Sequence, residues 1–128
     1  MYEGEWKNDE MNGFGKLYYQ NGKLAFEGYW KNSEFHGKGR IINDQPNRVS
    51  ESGFDYTDFN NIDEGWISYE GEFFEDVKTG EGVLKLSNGE ILQGEWSDNC
   101  VNGECAFYTV RGDVIKGIWE NNMLIEEL

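Results

Sequence analysis

Tyr2-Glu3-Gly4-Glu5-Trp6, then Gly13-Phe14-Gly15, then Asn21-Gly22, is the stretch that decides the fold. Its opening returns as Phe26-Glu27-Gly28-Tyr29-Trp30, Tyr69-Glu70-Gly71-Glu72-Phe73, Leu92-Gln93-Gly94-Glu95-Trp96 and Ile115-Lys116-Gly117-Ile118-Trp119. In the first four copies a glycine follows eleven residues after the opening side chain, at Gly13, Gly37, Gly80 and Gly103. The first three of these begin a Gly-x-Gly; the fourth reads Gly103-Glu104-Cys105. Nine residues further on stand Gly22, Gly89 and Gly112. Copies start 23 or 24 residues apart, except for the step of 43 from residue 26 to residue 69, which is one repeat plus 20 inserted residues. A fixed period of this length marks a repeat architecture in which each unit buries its apolar side only against its neighbours.

Within Tyr2-x-Gly4-x-Trp6 the side chains alternate, so Tyr2, Gly4 and Trp6 share one face of a strand while Glu3 and Glu5 share the other. Gly13-x-Gly15-x-Leu17-x-Tyr19 has the same period of two. A polar connection, Lys7 to Asn12, bends near Asp9, and Ser33, Asp76, Asn99 and Asn122 occupy the equivalent place. Small polar residues suit bends, and Asn and Asp tolerate left-handed backbone. Asn21-Gly22 and Asn88-Gly89 signal the turn into the next repeat. Each repeat is therefore expected to be a β-hairpin, and the hairpins to join into one antiparallel meander. A register with Trp6 opposite Gly13 puts Gly4 opposite Gly15 and lets a large ring cover bare backbone. It pairs Glu3 with Lys16 and Glu27 with Arg40, but also Glu72 with Glu81 and Glu95 with Glu104.

Composition agrees with many short strands and tight turns: 17 glycines and 16% aromatics among 128 residues, with a single proline. The length fits one domain, residues 1–128. The formal net charge of −14 repels phosphate backbones and anionic lipid headgroups, which disfavours nucleic acid and membrane as partners. Cys100, Cys105 and His36 are not spaced for zinc, and His36 falls in an expected bend without a nucleophile beside it. From Asp55 or Asp58 the ligand positions of a calcium loop are not filled. We therefore expect no catalytic residues, no cofactor, no metal and no small-molecule substrate. Without a leader or a long apolar run, the chain is expected to be soluble, intracellular and cytoplasmic, with free thiols.

The aromatic-x-Gly-x-Trp opening, the Gly-x-Gly and the later glycine at a 23-residue step resemble the MORN family (membrane occupation and recognition nexus). The resemblance covers about residues 2–46 and 69–122. It divides the chain into repeats at about 2–25, 26–46, 69–91 and 92–114, a partial one at 115–122, an insertion at about 47–66 and a tail, 123–128. It implies an all-β, single-layer antiparallel meander of stacked hairpins, elongated and twisted. It also implies a scaffold or adaptor role, often at cytoskeletal assemblies (cilia included) or membrane-associated ones, and non-catalytic use as a domain of larger enzymes. Four departures stand out. Asp9, Ser33, Asp76 and Asn99 replace a usual glycine, Cys105 replaces another, the fifth repeat stops after one strand, and the insertion has no family counterpart.

A one-layer sheet cannot bury both of its faces, so its aromatic stripe is expected to double as a groove for a protein partner's helix or extended segment. That stripe is Tyr2, Trp6, Phe26, Trp30, Tyr69, Phe73, Trp96 and Trp119. Its rings also form the only core such a sheet can have. The insertion, with Phe54, Tyr56, Phe59 and Trp66 among acids, is a flexible acidic loop, a cover over the sheet or a contact for a partner. The glutamates alternating with the stripe are either a solvated face or a site for a basic partner. The tail either closes the last edge or docks elsewhere. Two rival functions stay open: a phospholipid-binding module, and a regulatory or targeting domain of a larger enzyme. The second fits a repeat that begins at Tyr2 with no capping unit before it.

Overall fold

The computed structural model describes residues Met1–Leu128. Ten strands run in chain order: β1 (Tyr2–Lys7), β2 (Glu10–Tyr18), β3 (Leu24–Lys31), β4 (Glu34–Ile42), β5 (Trp66–Phe74), β6 (Val77–Leu86), β7 (Ile91–Ser97), β8 (Cys100–Tyr108), β9 (Val114–Glu120) and β10 (Met123–Glu127). Each pairs antiparallel with the next, giving one open ten-stranded sheet in the order β1 to β10. The only helical element is a single 3-10 turn, Phe59–Asn61. The expected all-β meander is what the chain forms.

The hairpin inside each repeat closes through two residues rather than the longer connection expected between Lys7 and Asn12. Asn8-Asp9, Asn32-Ser33, Glu75-Asp76, Asp98-Asn99 and Asn121-Asn122 all have φ between +47° and +73°. Positive φ at both central residues is the type I′ turn, whose twist matches that of paired strands. The Asn-Gly dipeptides sit instead in looser loops between repeats.

The second residue of these turns has a further use. Ser33, Asp76, Asn99 and Asn122 donate their backbone N–H to the carbonyls of Met11, Phe35, Lys78 and Val101, respectively. Their side-chain oxygens accept the N–H of those same residues at 3.1, 2.7, 2.8 and 2.9 Å. Every repeat is thus stitched to the one before by a clamp that a glycine could not make. The departure from the family's glycine has a structural reason.

The register holds in the middle of each hairpin and fails at its end. Gly4 faces Gly15, Glu3 faces Lys16 and Glu27 faces Arg40, as expected. A bulge then intervenes, so Trp6 faces Met11, not Gly13. Gly13 faces Trp30 of the next repeat, and Gly37, Gly80 and Gly103 likewise face Phe73, Trp96 and Trp119. Glu72 faces Thr79, while Glu81 faces Glu95 across a repeat boundary. Gly13 has φ +85°, and a Cβ there would meet the Glu5 carboxylate at 2.1 Å. That carboxylate accepts the Phe14 N–H at 2.6 Å, and Glu72 does the same for the Glu81 N–H at 3.2 Å. These two glutamates are clamps on the bulge, not simply solvated acids.

Two further expectations are corrected. The fifth repeat does not stop at Asn122, because Met123–Glu127 returns as β10 and completes its hairpin. His36 lies within β4 rather than in a bend.

Candidate functional site

Rings cover one another along the sheet. Tyr2–Trp30, Phe26–Trp30, Phe26–Phe73, Tyr69–Phe73 and Tyr69–Trp96 meet edge to face at 5.1–5.5 Å between centroids. Such pairs contribute about 0.5–1.5 kcal/mol each beyond the area they bury. The first aromatic of a repeat lies over the Gly-x-Gly backbone: a Cβ on Gly15 would stand 2.2–2.4 Å from Tyr2, and one on Gly82 would stand 2.1–2.6 Å from Tyr69. In the fourth repeat a shorter Leu92 leaves that space, and Cys105, 5% exposed, fills it. Burial pushes the Cys105 thiol up to about 11, so it is a packing group rather than a nucleophile.

The insertion is the cover and not a flexible loop. Phe59, 3% exposed, packs against Phe54, Phe107 and Trp119. The Trp119 indole N–H donates to Tyr56 O at 2.8 Å. Phe59 N donates to Asn122 O and Leu124 N donates to Thr57 O, so the insertion also pairs along β10. Its other end is held by Glu90, 1% exposed, whose carboxylate accepts N–H groups from Phe54 (2.7 Å), Asn88 (2.7 Å) and Val110 (3.1 Å). Ser87 adds bonds to Val49 and Asn47.

This arrangement corrects the expected groove. Of the eight stripe residues, Phe26, Trp30, Tyr69, Phe73, Trp96 and Trp119 are buried, Tyr2 is half-buried and Trp6 alone is exposed. Mutual packing and the insertion together seal the six. Tyr69 Oη and Trp96 Nε1 are buried without a hydrogen-bond partner, and burial pushes the Tyr69 hydroxyl well above its ordinary range.

The open concavity lies on the other face. A trough of about 690 Å³ crosses the middle of the sheet. Its floor is the bare backbone of Gly28, Gly39, Gly71 and Gly82. One bank is Glu27, Arg40, Glu70, Val83 and Gln93; the other is Phe14, Tyr29, Lys38, Glu72 and Glu81. The ladder sets charges in opposition: Lys16 faces Glu27, Arg40 faces Glu27 and Glu70, and Lys38 faces Glu72. Four carboxylates against two cations leave the trough acidic. Phe14 and Tyr29, 41% and 51% exposed, stand edge to face at 5.5 Å at one end. The expected stripe omitted both, although Tyr29 had a signal in the sequence: it occupies the place where Glu5, Glu72 and Glu95 stand in other repeats.

The MORN repeat model matches residues 2–23, 26–42 and 69–91. A comparison with curated proteins finds no match. The matched segments are the first three hairpins; the remaining two repeat their two-residue turn, and the fourth also repeats their bulge. By that match, the chain carries MORN repeats at these three stretches.

Proposed function

We propose that this chain is a non-catalytic scaffold or adaptor module that holds a segment of a protein partner in the trough on its charged face. MORN repeats in general are interaction repeats rather than catalytic domains. The observation that carries the reading is the trough itself: an open channel floored by glycine backbone, with two exposed aromatic rings at its end. Exposed aromatics beside charged groups are the usual anchors of protein interfaces. Glu81 and Glu95 face each other across adjacent strands, a repulsion that a basic side chain from a partner would relieve. The partner is therefore a polypeptide with basic side chains, and its association weakens as salt rises. Service in a cytoplasmic assembly, cytoskeletal or otherwise multi-protein, is proposed on the family resemblance.

Affinity capture from native extract with the wild-type chain and with Phe14→Ala/Tyr29→Ala tests this reading. Both side chains point to solvent, so the variant keeps its fold. A captured protein that elutes with salt and is lost from the variant supports the trough. Equal capture by both chains would remove the trough from the interface. Flotation with anionic phosphoinositide vesicles would favour the lipid alternative, against which the net charge of −14 stands.

A further inference from the structure

One repeat departs from the apolar pattern of the aromatic face. Within each hairpin the large ring faces Met11 (from Trp6), Phe35 (from Trp30), Val101 (from Trp96) and Leu124 (from Trp119). In the third repeat Phe73 faces Lys78. The sheet therefore places an ammonium where four repeats place hydrocarbon. The chain's ion pairs join Lys16 to Glu27 and Arg48 to Glu51, and no carboxylate comes within ion-pairing distance of Lys78. Its Nζ lies 5.3 Å from the centroid of the buried Tyr69 ring. A ring face attracts a cation but carries no net charge to neutralise it, and burial pushes the Lys78 ammonium below its usual range.

A second donor nearby is also without a partner. Of the buried indoles, Trp30 donates to Gly15 O at 3.2 Å and Trp119 donates to Tyr56 O at 2.8 Å. Trp96, 7% exposed, has no acceptor for its Nε1. It packs edge to face at 5.1 Å on the same Tyr69 ring over which Lys78 lies. Buried N–H groups are nearly always paired, so an unpaired one calls for a reason. Lys78 and Trp96 both line one cavity of about 180 Å³. The insertion contributes Phe59 and Ile62 to its walls, and the sheet contributes Trp66 and Leu84. Asp63 and Asn99, both exposed, stand where it opens to solvent.

We propose that this cavity is a binding site for a small aromatic monocarboxylate, whose carboxylate is received by Lys78 Nζ and Trp96 Nε1 and whose ring is received by Phe59, Ile62, Trp66 and Leu84. Each part of the ligand answers a feature of the site. A dry cavity of ~150 Å³ takes one benzene ring, and this one has room for a ring with a carboxylate attached. A carboxylate carries one charge for the one ammonium and has an oxygen for each of the two donors. A phosphate dianion would bring twice that charge against apolar walls, which buried charge does not tolerate without pairing. The insertion is what encloses the site, since Phe59 and Ile62 are two of its apolar walls. The site lies on the aromatic face, apart from the trough, and neither depends on the other.

The probe is benzoate, titrated into the full chain and followed at the indole N–H signals by NMR. Binding should be saturable, and the Trp96 signal should move and gain protection from exchange. The signals of Trp30 and Trp119, already bonded to carbonyls, should change least. Benzamide has the same shape without the charge, and should bind at least about 10-fold more weakly, the loss of one charge-assisted bond. Lys78→Met installs the residue that the first repeat has at this place, so it keeps the fold. It should weaken benzoate by a similar factor and raise the melting temperature, because it removes an unpaired buried charge. Asp63→Asn should bind benzoate as tightly as the wild type or more tightly, since it removes a like charge from the opening. Three results would each overturn the proposal. The first is no saturable change at Trp96. The second is benzamide or inorganic sulfate binding as well as benzoate. The third is Lys78→Met and Asp63→Asn lowering the melting temperature equally, with the double variant no lower than either, which would make Asp63 the partner of Lys78.

Discussion

Replacing Phe59 with alanine tests whether the insertion is part of the folded core. Phe59 is 3% exposed and lies between Phe54, Phe107 and Trp119. Truncating a buried phenylalanine costs about 3–5 kcal/mol, because the transfer free energy is lost and a cavity remains. The site has limited freedom to collapse, since Phe59 N bonds to Asn122 O on one side and Glu90 holds Phe54 N on the other. We therefore expect at least about 3 kcal/mol, a large share of the ~5–15 kcal/mol that holds a domain folded. For a chain of this size that is a fall in Tm of roughly 10 °C. The local signature is at Trp119, whose indole N–H bonds to Tyr56 O. Its exchange rate by NMR should rise together with that of the Leu124 amide, which bonds to Thr57 O. If Phe59→Ala melts within about 2 °C of the wild type and the Trp119 indole proton stays protected, the insertion is not the lid described and the burial of Trp119 has another cause.

Four further outcomes follow from the geometry. Asp76→Gly keeps the left-handed turn and deletes only the clamp on the Phe35 N–H, so urea denaturation should show a loss of about 1–2 kcal/mol. Glu90→Ala removes the shared acceptor of the Phe54 and Val110 N–H groups and of the Asn88 amide, and a loss of about 1–3 kcal/mol is expected by the same assay. Leu92→Tyr drives a ring into Cys105, and Cys105→Gly leaves a gap; the double variant restores the tyrosine–glycine pair of other repeats and should lie closer to the wild type than the two single losses summed, by roughly 1–3 kcal/mol. The raised Cys105 thiol adds a pH dependence. Its folded value, about 11, exceeds its ordinary 9.0, so the stability it contributes is complete below pH 9 and is lost as pH rises toward 11. Tyr69, also raised by burial, acts in the same direction at higher pH. The urea midpoint should therefore fall between pH 9 and 11, and by less in Cys105→Ala.

Periodicity settled more of this protein than any single residue did. A spacing of 23 or 24 residues with alternating side chains pointed to hairpins, and the small polar residues between their strands pointed to bends. The pairing of Gly4 with Gly15 follows from the same alternation, because a period of two leaves few registers that keep all rings on one side. These are local constraints, carried by neighbouring residues of the chain. Which face stays open is not local. It depends on rings of one repeat closing over those of the next, and on residues 53–62 travelling back across the aromatic side to Trp119 and β10. The anchor of that return, Glu90, is one glutamate among many in the sequence, and only its three N–H partners set it apart. In the first and third repeats the bulge after the central glycine is likewise held by the Glu5 and Glu72 carboxylates folding onto the neighbouring strand. Sequence alone thus determined the strands, the places of their bends and their order, while the structure tightened each bend to a two-residue turn. Tertiary packing decided that the indoles are core, that the trough lies on the charged face, and that of the whole aromatic stripe only Trp6 remains fully open to solvent. Burial is a property of what lies across the gap, and residues far apart in the chain decide that.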